Sequence, residues 1–266
     1  MGNYYQKVAK YYNVDAESFE CRYWENRTLQ KIRQEFREQI YRADFENLLE
    51  IGFGTGIDIV HFAKTYPKKK IFGIDVSPEM YRHCNQKLRT ENLANAFISV
   101  GTPEEIPDIF KDQKFDLIYV FFGALNTTNN LEKIPEQLEM ILTKNGQLVL
   151  TFVNKWYLTE IFLQLLKLNF IKAFARFRKF WGGYSSAKYL ESRCYSPYEI
   201  RNIFQKKFSV VNKRGYSILY PAWYRNHWVT RMSEKPAGIL WKADEWLNKT
   251  FVWMFGEYFL YSFRRR

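Results

Sequence analysis

The sequence predicts an α/β fold built on a doubly wound, mostly parallel sheet, and three observations support this prediction. A short apolar run from Leu48 to Ile51 ends in a glycine-rich turn. A helical pattern of apolar residues follows, from Ile57 to Ala63. A second apolar run, Ile71 to Ile74, then ends in Asp75. Strand, glycine turn, helix, strand and acid in this order are typical of the nucleotide-binding half of such a sheet.

The spacing of the glycine turn argues against a dinucleotide. A dinucleotide fingerprint counted from Gly52 would need glycine or alanine at Ile57. Glycines suit a backbone that turns sharply and approaches a ligand, because a Cβ there would obstruct it. Asp75 follows about 20 residues after the turn, where a carboxylate can accept the hydroxyl protons of a ribose. The turn itself reads E-x-G-x-G-x-G, with Glu50 followed by Gly52, Gly54 and Gly56.

This pattern resembles the first motif of the class I S-adenosylmethionine-dependent methyltransferases. The resemblance implies that S-adenosylmethionine lies over the turn and that Asp75 holds its ribose. In this family the last strand inserts antiparallel beside the fifth, so we expect a seven-stranded sheet with that strand antiparallel. Thr102 and Pro103 stand where the family usually carries an Asp-Ala pair at the adenine. The cofactor-binding residues implied are Glu50, Gly52, Phe53, Gly54, Thr55, Gly56, Asp75, Val76, Met80, Thr102, Pro103, Glu104 and Phe121.

Residues 1–46 come before the first strand and contain two tyrosine pairs, Tyr4-Tyr5 and Tyr11-Tyr12. Their order resembles the N-terminal helical cap of small-molecule methyltransferases, which folds over the bound cofactor. Tyr11 and Tyr12 would then line the cofactor or substrate mouth. Alternatively, one tyrosine of each pair lies in the core and the other on the surface. Thr28 to Arg42 is strongly charged and predicts a surface helix packed on the sheet.

Residues 47–153 form the predicted cofactor-binding core. Ser77 and Pro78 suit a helix start and predict a helix that runs to about Arg89. A further helix is predicted over Leu131 to Leu142, with Asn145-Gly146 as its stop. The remaining strands are predicted at Ala96–Val100, Phe115–Phe121 and Gln147–Val153.

Residues 154–195 are predicted to form a lid insertion. Trp156 to Trp181 mixes aromatic and basic residues, and it predicts an amphipathic helix as far as about Ile171, because Glu160, Gln164 and Lys167 share one arc. Three interpretations remain open for this segment. It packs on the domain as a lid, it dips into an anionic membrane surface, or it is an oligomer contact.

Residues 196–266 complete the sheet. Ser196 to Glu199 is a capping box that begins a helix. The sequence predicts a strand at Phe208–Val211 that continues through Gly215 to Tyr220, and a last strand at Gly256–Phe263. Residues 221–255 form a second, tryptophan-rich insertion. With no repeat or linker in the sequence, we expect a single domain over residues 1–266.

The composition limits which binding partners and which cellular compartment can be expected. The net charge is +12 and 19% of the residues are aromatic. Charge alone does not identify a partner, since it serves solubility as well as anion binding. Three separated cysteines and three histidines predict neither disulfides nor a metal site, and a reducing cytoplasm is the default. The N-terminal residues lack the apolar stretch of a secretory signal, and no run approaches the length of a membrane span.

The resemblance to class I methyltransferases implies an enzyme that transfers a methyl group by in-line displacement, and the aromatic insertions favour a small aromatic or lipophilic acceptor. The chain resembles methyltransferases of the quinone and biotin pathways. The alternatives are a peripheral membrane methyltransferase with a lipid-like acceptor and a non-catalytic module that binds S-adenosylmethionine. A nucleic acid is not expected, because Phe121-Phe122-Gly123-Ala124 stands where base-amino methyltransferases carry N/D-P-P-Y/F. The weak candidates for a catalytic residue are Tyr11, Tyr12, Asn126 and His227.

Overall fold

The predicted sheet is confirmed in the computed structural model, which describes residues 2–183 and 189–266. Seven strands lie in the order β3-β2-β1-β4-β5-β7-β6. Strands β1 to β5 are mutually parallel, whereas β7 pairs antiparallel with both β5 and β6. The strands are β1 Asn47–Ile51, β2 Lys70–Asp75, β3 Ala96–Val100, β4 Phe115–Val120, β5 Leu142–Val153, β6 Phe208–Tyr216 and β7 Tyr258–Arg265.

Helices cover both faces of the sheet and its carboxyl edge. They are α1 Asn3–Trp24, α2 Arg27–Tyr41, α3 Ile57–Thr65, α4 Pro78–Thr90, α5 Ile106–Ile109, α6 Ile134–Ile141, α7 Leu158–Leu166, α8 Phe170–Ala173, α9 Pro197–Phe204, α10 Asn226–Arg231 and α11 Glu234–Leu247. Short 3₁₀ turns occupy Pro103–Glu105, Ala124–Thr127, Leu131–Lys133, Ala175–Phe177, Trp223–Arg225 and Phe251–Phe255.

Alternating residues of the central strands divide the core into two layers. On β1, Leu48 faces the layer that contains Phe36 of α2, whereas Leu49 faces the layer that contains Leu138 of α6. This alternation follows from the two-residue period of a strand. Helix α2 is fixed to α3 by Arg33 and Arg37, which both bind the buried carboxylate of Asp58. The glycine turn between β1 and α3 is therefore held between the sheet and α2.

Local capping explains why several helices begin where the sequence predicts. Asn26 accepts a hydrogen bond from the Leu29 N–H at the start of α2, and Ser77 accepts one from Met80 at the start of α4. Ser196 and Glu199 form the predicted capping box of α9. Each of these side chains satisfies a backbone donor that the first helical turn leaves free.

The predicted stop at Asn145-Gly146 is wrong. Helix α6 ends at Ile141, and β5 begins at once at Leu142. The register against β4 slips here, because Phe115 pairs with Leu142 whereas Leu117 pairs with Gln147. The four residues between Leu142 and Gln147 form a bulge inside the strand rather than a helix terminus.

The strands of the C-terminal part also differ from their predicted bounds. Strand β6 is continuous from Phe208 to Tyr216, and it stops because Ser217 has a φ of 54°. The next three backbone N–H groups, from Ile218 to Tyr220, donate to the buried carboxylate of Asp244 instead of pairing with a neighbouring strand. The last strand lies two residues later than predicted, at Tyr258–Arg265.

The segment after β5 is more broken than the predicted helix. Helix α7 ends at Leu166 rather than near Ile171, because Leu168 takes a φ of 55°. Asn169 then caps α8 by accepting from the N–H of Lys172. Within residues 2–183 and 189–266, the structure contains no helix with the length and apolar content needed to cross a bilayer.

Candidate active site

A cavity lies over the glycine turn, at the carboxyl ends of β1, β2 and β4. Helix α1 crosses it, and Tyr5, Tyr12 and Phe19 of that helix point into it. These three residues are spaced seven apart, so they share one face of the helix. The other lining residues are Ile51, Gly52, Gly54, Ile74, Asp75, Val76, Met80, Gly101, Pro103, Phe121, Phe122, Ala124 and Thr127. The carboxyl edge of an open parallel sheet is where such folds bind ligands.

Asp75 carries the one carboxylate among the side chains that line this cavity. One of its oxygens accepts a hydrogen bond from the Gly54 N–H at 2.8 Å, and the other accepts from the Ser77 N–H at 2.9 Å. Burial raises the pKa of Asp75 from its ordinary value of 3.8 to about 6. The two backbone bonds fix the orientation of the carboxylate, and each oxygen can still accept a further proton donor.

Glu50 lies beneath the turn rather than in the cavity lining. It is buried, and its carboxyl oxygen accepts a hydrogen bond from the Tyr119 hydroxyl at 2.8 Å. Burial raises the pKa of Glu50 well above its ordinary value. Tyr119 and Glu50 thus form a polar contact between β4 and the start of the glycine turn.

The loop after β3 supplies Pro103 to the cavity but uses its polar groups internally. The Thr102 hydroxyl and the Thr102 N–H both donate to the carboxylate of Glu105, at 2.9 and 2.8 Å. These bonds lower the pKa of Glu105. Glu104 accepts a hydrogen bond from the hydroxyl of Tyr5 on α1. The loop is therefore held by its own hydrogen bonds, and the Tyr5 hydroxyl joins it to the helix that crosses the cavity.

The structure places the predicted cofactor residues in two groups. Those that line the cavity are Gly52, Gly54, Asp75, Val76, Met80, Pro103 and Phe121. Those that lie behind or beside the turn are Glu50, Phe53, Thr55, Gly56, Thr102 and Glu104. Phe53 is buried in the core, and a Cβ added at Gly56 would lie 2.3 Å from the Sγ of Cys84 on α4. Residues of the second group shape the turn and its surroundings, and their direct contact with a ligand stays a prediction.

Of the four weak catalytic candidates, Tyr12 alone is among the described residues that line the cavity. Tyr12 lines the cavity, whereas Tyr11 does not and packs edge-on against the Tyr12 ring. Asn126 is buried, and its amide bonds the carbonyl of Arg193 and the N–H of Val153. His227 is exposed on α10. Burial raises the pKa of Tyr12, so its hydroxyl stays protonated near neutral pH. A catalytic role for any of them stays a prediction.

Several lining residues are absent from the residues predicted from the sequence. Tyr5 and Phe19 could have been found, because their seven-residue spacing from Tyr12 places all three on one helical face. Asn13 is not in the lining, but its side chain accepts a hydrogen bond from the Ser77 hydroxyl at 2.7 Å and joins α1 to the start of α4. Phe122 has a φ of 53°, which turns it toward the cavity, and no local sequence signal announces that conformation.

Tyr5→Phe is expected to loosen helix α1 over the cavity. The Tyr5 hydroxyl donates to Glu104 and accepts from the Asn129 N–H at 3.0 Å, so its removal leaves both groups without that partner. We expect a loss of about 2 kcal/mol in the free energy of unfolding and faster amide exchange over Asn3–Trp24. Tyr11→Phe, on the same helix but outside the cavity, is the control. Equal exchange in the two variants would contradict this role for Tyr5.

The raised pKa of Asp75 predicts opposite effects of pH on ligand affinity and on stability. As pH falls through about 6, the carboxylate becomes protonated and loses acceptor capacity, so affinity for S-adenosylmethionine should fall up to tenfold per pH unit. Stability of the ligand-free protein should change the other way. A carboxyl whose folded pKa is raised stabilises the fold at low pH, and this contribution is lost as pH rises from about 4 to about 6.

Calorimetry and thermal melts between pH 5 and pH 7 measure the two effects separately. The matched control is Asp75→Asn, whose affinity should be weak and flat over this range. Asp244, whose pKa burial also raises to about 6, should still shift the melting temperature of that variant. An affinity of the unmodified protein that is flat from pH 5 to pH 7 would contradict the assignment.

Comparison with known proteins identifies relatives of this chain. A family model described as a methyltransferase domain matches residues 44–188. Over 114 residues, 40% of this chain and 54% of that protein, the chain is 32% identical to the tRNA (guanine-N(7)-)-methyltransferase of Oceanobacillus iheyensis. It is 26% identical to the ubiquinone/menaquinone biosynthesis C-methyltransferase of Geotalea daltonii, over 58% of this chain and 64% of that protein.

A solved structure shares the fold over nearly the whole chain. The magnesium protoporphyrin IX methyltransferase of Synechocystis, crystallised with bound SAH, superposes with a TM-score of 0.61 at 11% identity. The superposition covers 99% of this chain and 100% of that protein. The two curated relatives, by contrast, are matched over only about half to two thirds of their own length.

Proposed function

Because the chain belongs to the methyltransferase-domain family and is a class I S-adenosylmethionine-dependent methyltransferase, we propose that it methylates a small aromatic or lipophilic acceptor. The single observation that carries this proposal is the lining of the cavity. Among the described residues that line it, five carry aromatic rings and one, Asp75, carries a carboxylate. Such walls favour a flat or apolar molecule over a sugar, because an apolar wall leaves hydroxyl groups without partners.

The residues of the turn fit the cofactor that the family uses. Gly54 lines the cavity without a Cβ, and Asp75 presents acceptor capacity beside it. In this proposal Asp75 accepts the ribose hydroxyls, while Val76, Met80, Pro103 and the residues beside them hold the adenosine. Residues 1–46 act as a cap, residues 47–153 as the cofactor core, residues 154–195 as an insertion, and residues 196–266 as the remainder of one domain.

Methyl transfer requires the protein mainly to position the acceptor relative to the cofactor. Bound S-adenosylmethionine supplies a sulfonium methyl group that is already a good electrophile. The chain must hold the acceptor atom in line with that methyl and exclude water, and orientation of this kind can supply most of the rate. In this proposal the lining residues of helix α1, together with Phe122, serve both needs. A general base is required only where the acceptor is still protonated when it attacks.

A methyl-acceptor screen tests the proposal. The protein is incubated with radiolabelled S-adenosylmethionine and a cell extract, and label is followed into the organic phase and into the aqueous phase. We expect label in small apolar products, identified by mass, and none when Asp75→Ala replaces the unmodified protein. Label that remains with macromolecules and is released by ribonuclease would overturn the proposal. That outcome would favour an RNA acceptor, as the name of the Oceanobacillus relative suggests.

A further inference from the structure

Helix α7 is oriented with its polar side inward. Glu160 accepts hydrogen bonds from the Tyr224 hydroxyl and the Arg225 guanidinium in the 3₁₀ turn Trp223–Arg225. Gln164, one turn later, donates to Glu160 at 2.7 Å. The opposite side of the helix presents Leu158, Phe162 and Leu166 to solvent, at 48%, 62% and 66% exposure. A helix on a water-exposed surface normally has the reverse arrangement.

Exposed apolar side chains continue along the chain beyond α7. The reversal of the chain at Leu168 leaves that side chain 77% exposed, and the following turns expose further apolar residues. We call the whole set the apolar face. Its members are Leu158, Phe162, Leu166, Leu168, Phe170, Ile171, Phe174, Phe177 and Phe180. Soluble proteins rarely expose a run of large apolar side chains of this length without a binding partner.

The exposed charged side chains of this segment are all basic. Lys167, Lys172, Arg178 and Lys179 are exposed between the apolar residues. From residue 158 to residue 180 the sequence contains one acid, Glu160, and that acid is turned inward to Arg225. Apolar side chains interleaved with lysine and arginine complement a surface that has an apolar interior and negative head groups.

We propose that the apolar face docks the protein on an anionic lipid bilayer. Phe162, Leu166 and their neighbours insert below the head groups, and the four exposed basic residues contact the lipid phosphates. This orientation holds the remainder of the domain above the surface. The proposal goes beyond the proposed function and does not depend on it, because it rests on residues outside the cavity. A lipophilic acceptor would reach the enzyme from the same bilayer.

Vesicle flotation with the full-length protein tests this proposal. The probes are vesicles of phosphatidylcholine alone and of phosphatidylcholine with about 30% phosphatidylglycerol, at low and high salt. We expect flotation with the anionic vesicles at low salt, and weaker flotation at high salt or with neutral lipid. Phe162→Ser combined with Leu166→Ser should lower the apparent affinity at least about tenfold. Lys172→Glu combined with Arg178→Glu should do the same and should reduce the salt dependence.

Matched controls separate docking from general loss of apolar area or charge. Met140 and Val211 are also exposed, at 62% and 53%, and the pair Met140→Ser and Val211→Ser should float normally. Lys68→Glu with Lys111→Glu changes the net charge equally, outside the apolar face, and should have a smaller effect. Thermal melts confirm that each variant is folded.

Three outcomes would overturn the proposal. The first is no flotation with anionic vesicles at low salt. The second is an equal loss in the control and test pairs. The third is a stable dimer in analytical ultracentrifugation that Phe162→Ser and Leu166→Ser dissociate, since the face would then bind a second copy of the chain. Flotation requires neither cofactor nor methyl acceptor. A failed acceptor screen would therefore count against the proposed function and not against membrane docking.

Discussion

Asp75→Ala is expected to weaken binding of S-adenosylmethionine by about 100-fold or more. A carboxylate that accepts two ribose hydroxyls makes two charge-assisted hydrogen bonds, each of about 1.5–3 kcal/mol. The N–H groups of Gly54 and Ser77 fix the orientation of the Asp75 carboxylate beside the cavity, and alanine removes both acceptor oxygens. Isothermal titration calorimetry of the purified protein measures the change directly.

Two controls distinguish a lost contact from a disturbed turn. Asp75→Asn keeps the shape and one acceptor oxygen, and it should lose less affinity than the alanine variant. Asp108→Ala removes an exposed acid on α5 and should leave the affinity unchanged. Affinity of Asp75→Ala equal to that of the unmodified protein would remove Asp75 from the ribose role. It would leave the family assignment in place, because that rests on the sequence match over residues 44–188.

Gly52→Ala is expected to damage both the fold and the site. Gly52 has a φ of 81°, and a Cβ built there would lie 2.3 Å from the Cβ of Ala124. Ala124 has no rotamer by which to move away, so the backbone of the turn or of the loop after β4 must shift. We expect a loss of about 3 kcal/mol in the free energy of unfolding from the strained φ and the contact together. The melting temperature should fall by roughly 8 °C.

Gly54→Ala separates backbone strain from ligand contact at the same turn. Its φ is also positive, at 56°, but the nearest atom to an added Cβ is Cε1 of Phe19 at 3.4 Å. This variant should lose only about 1 kcal/mol of stability. Its affinity for S-adenosylmethionine should nevertheless fall about tenfold, because the methyl group enters the cavity that Gly54 and Phe19 line. Equal melting temperatures for the two variants would contradict this account of the turn.

Local signals were sufficient for the first half of the sheet. The alternating glycines, Asp75 and the cap at Ser77 each act within a few residues, so the turn, β2 and the start of α4 lie where the sequence predicts them. The family resemblance supplied what local patterns could not, the antiparallel position of β7 beside β5, and the structure adds that β6 pairs with the other edge of β7. The bulge after Leu142 was missed, because Asn145-Gly146 is also a good helix stop and only pairing with β4 decides between the two.

The residues of the site likewise divide into those that the sequence predicts and those that only the tertiary structure positions. Sequence spacing alone brought Gly52, Gly54 and Asp75 together, since all three belong to one strand-turn-helix-strand unit. Which tyrosine of each pair faces the cavity depended on how α1 lies across the sheet, and the structure selects Tyr5 and Tyr12 over Tyr4 and Tyr11. Asn126 follows β4 as predicted. Its side-chain amide, however, donates a hydrogen bond to the backbone carbonyl of Arg193, which is distant in the sequence.

The amino-acid sequence by itself predicted the glycine turn, the strands beside it and the helix caps, because backbone turns, helix caps and strand periodicity are set by neighbours in the chain. The family resemblance added the expectation that S-adenosylmethionine lies over that turn. The tertiary structure alone decided which side of each amphipathic segment faces inward. In α7 the pairing of Glu160 with Tyr224 and Arg225 reverses the expected orientation and leaves the apolar side outside. That choice depends on partners more than 60 residues away, which no local pattern can specify.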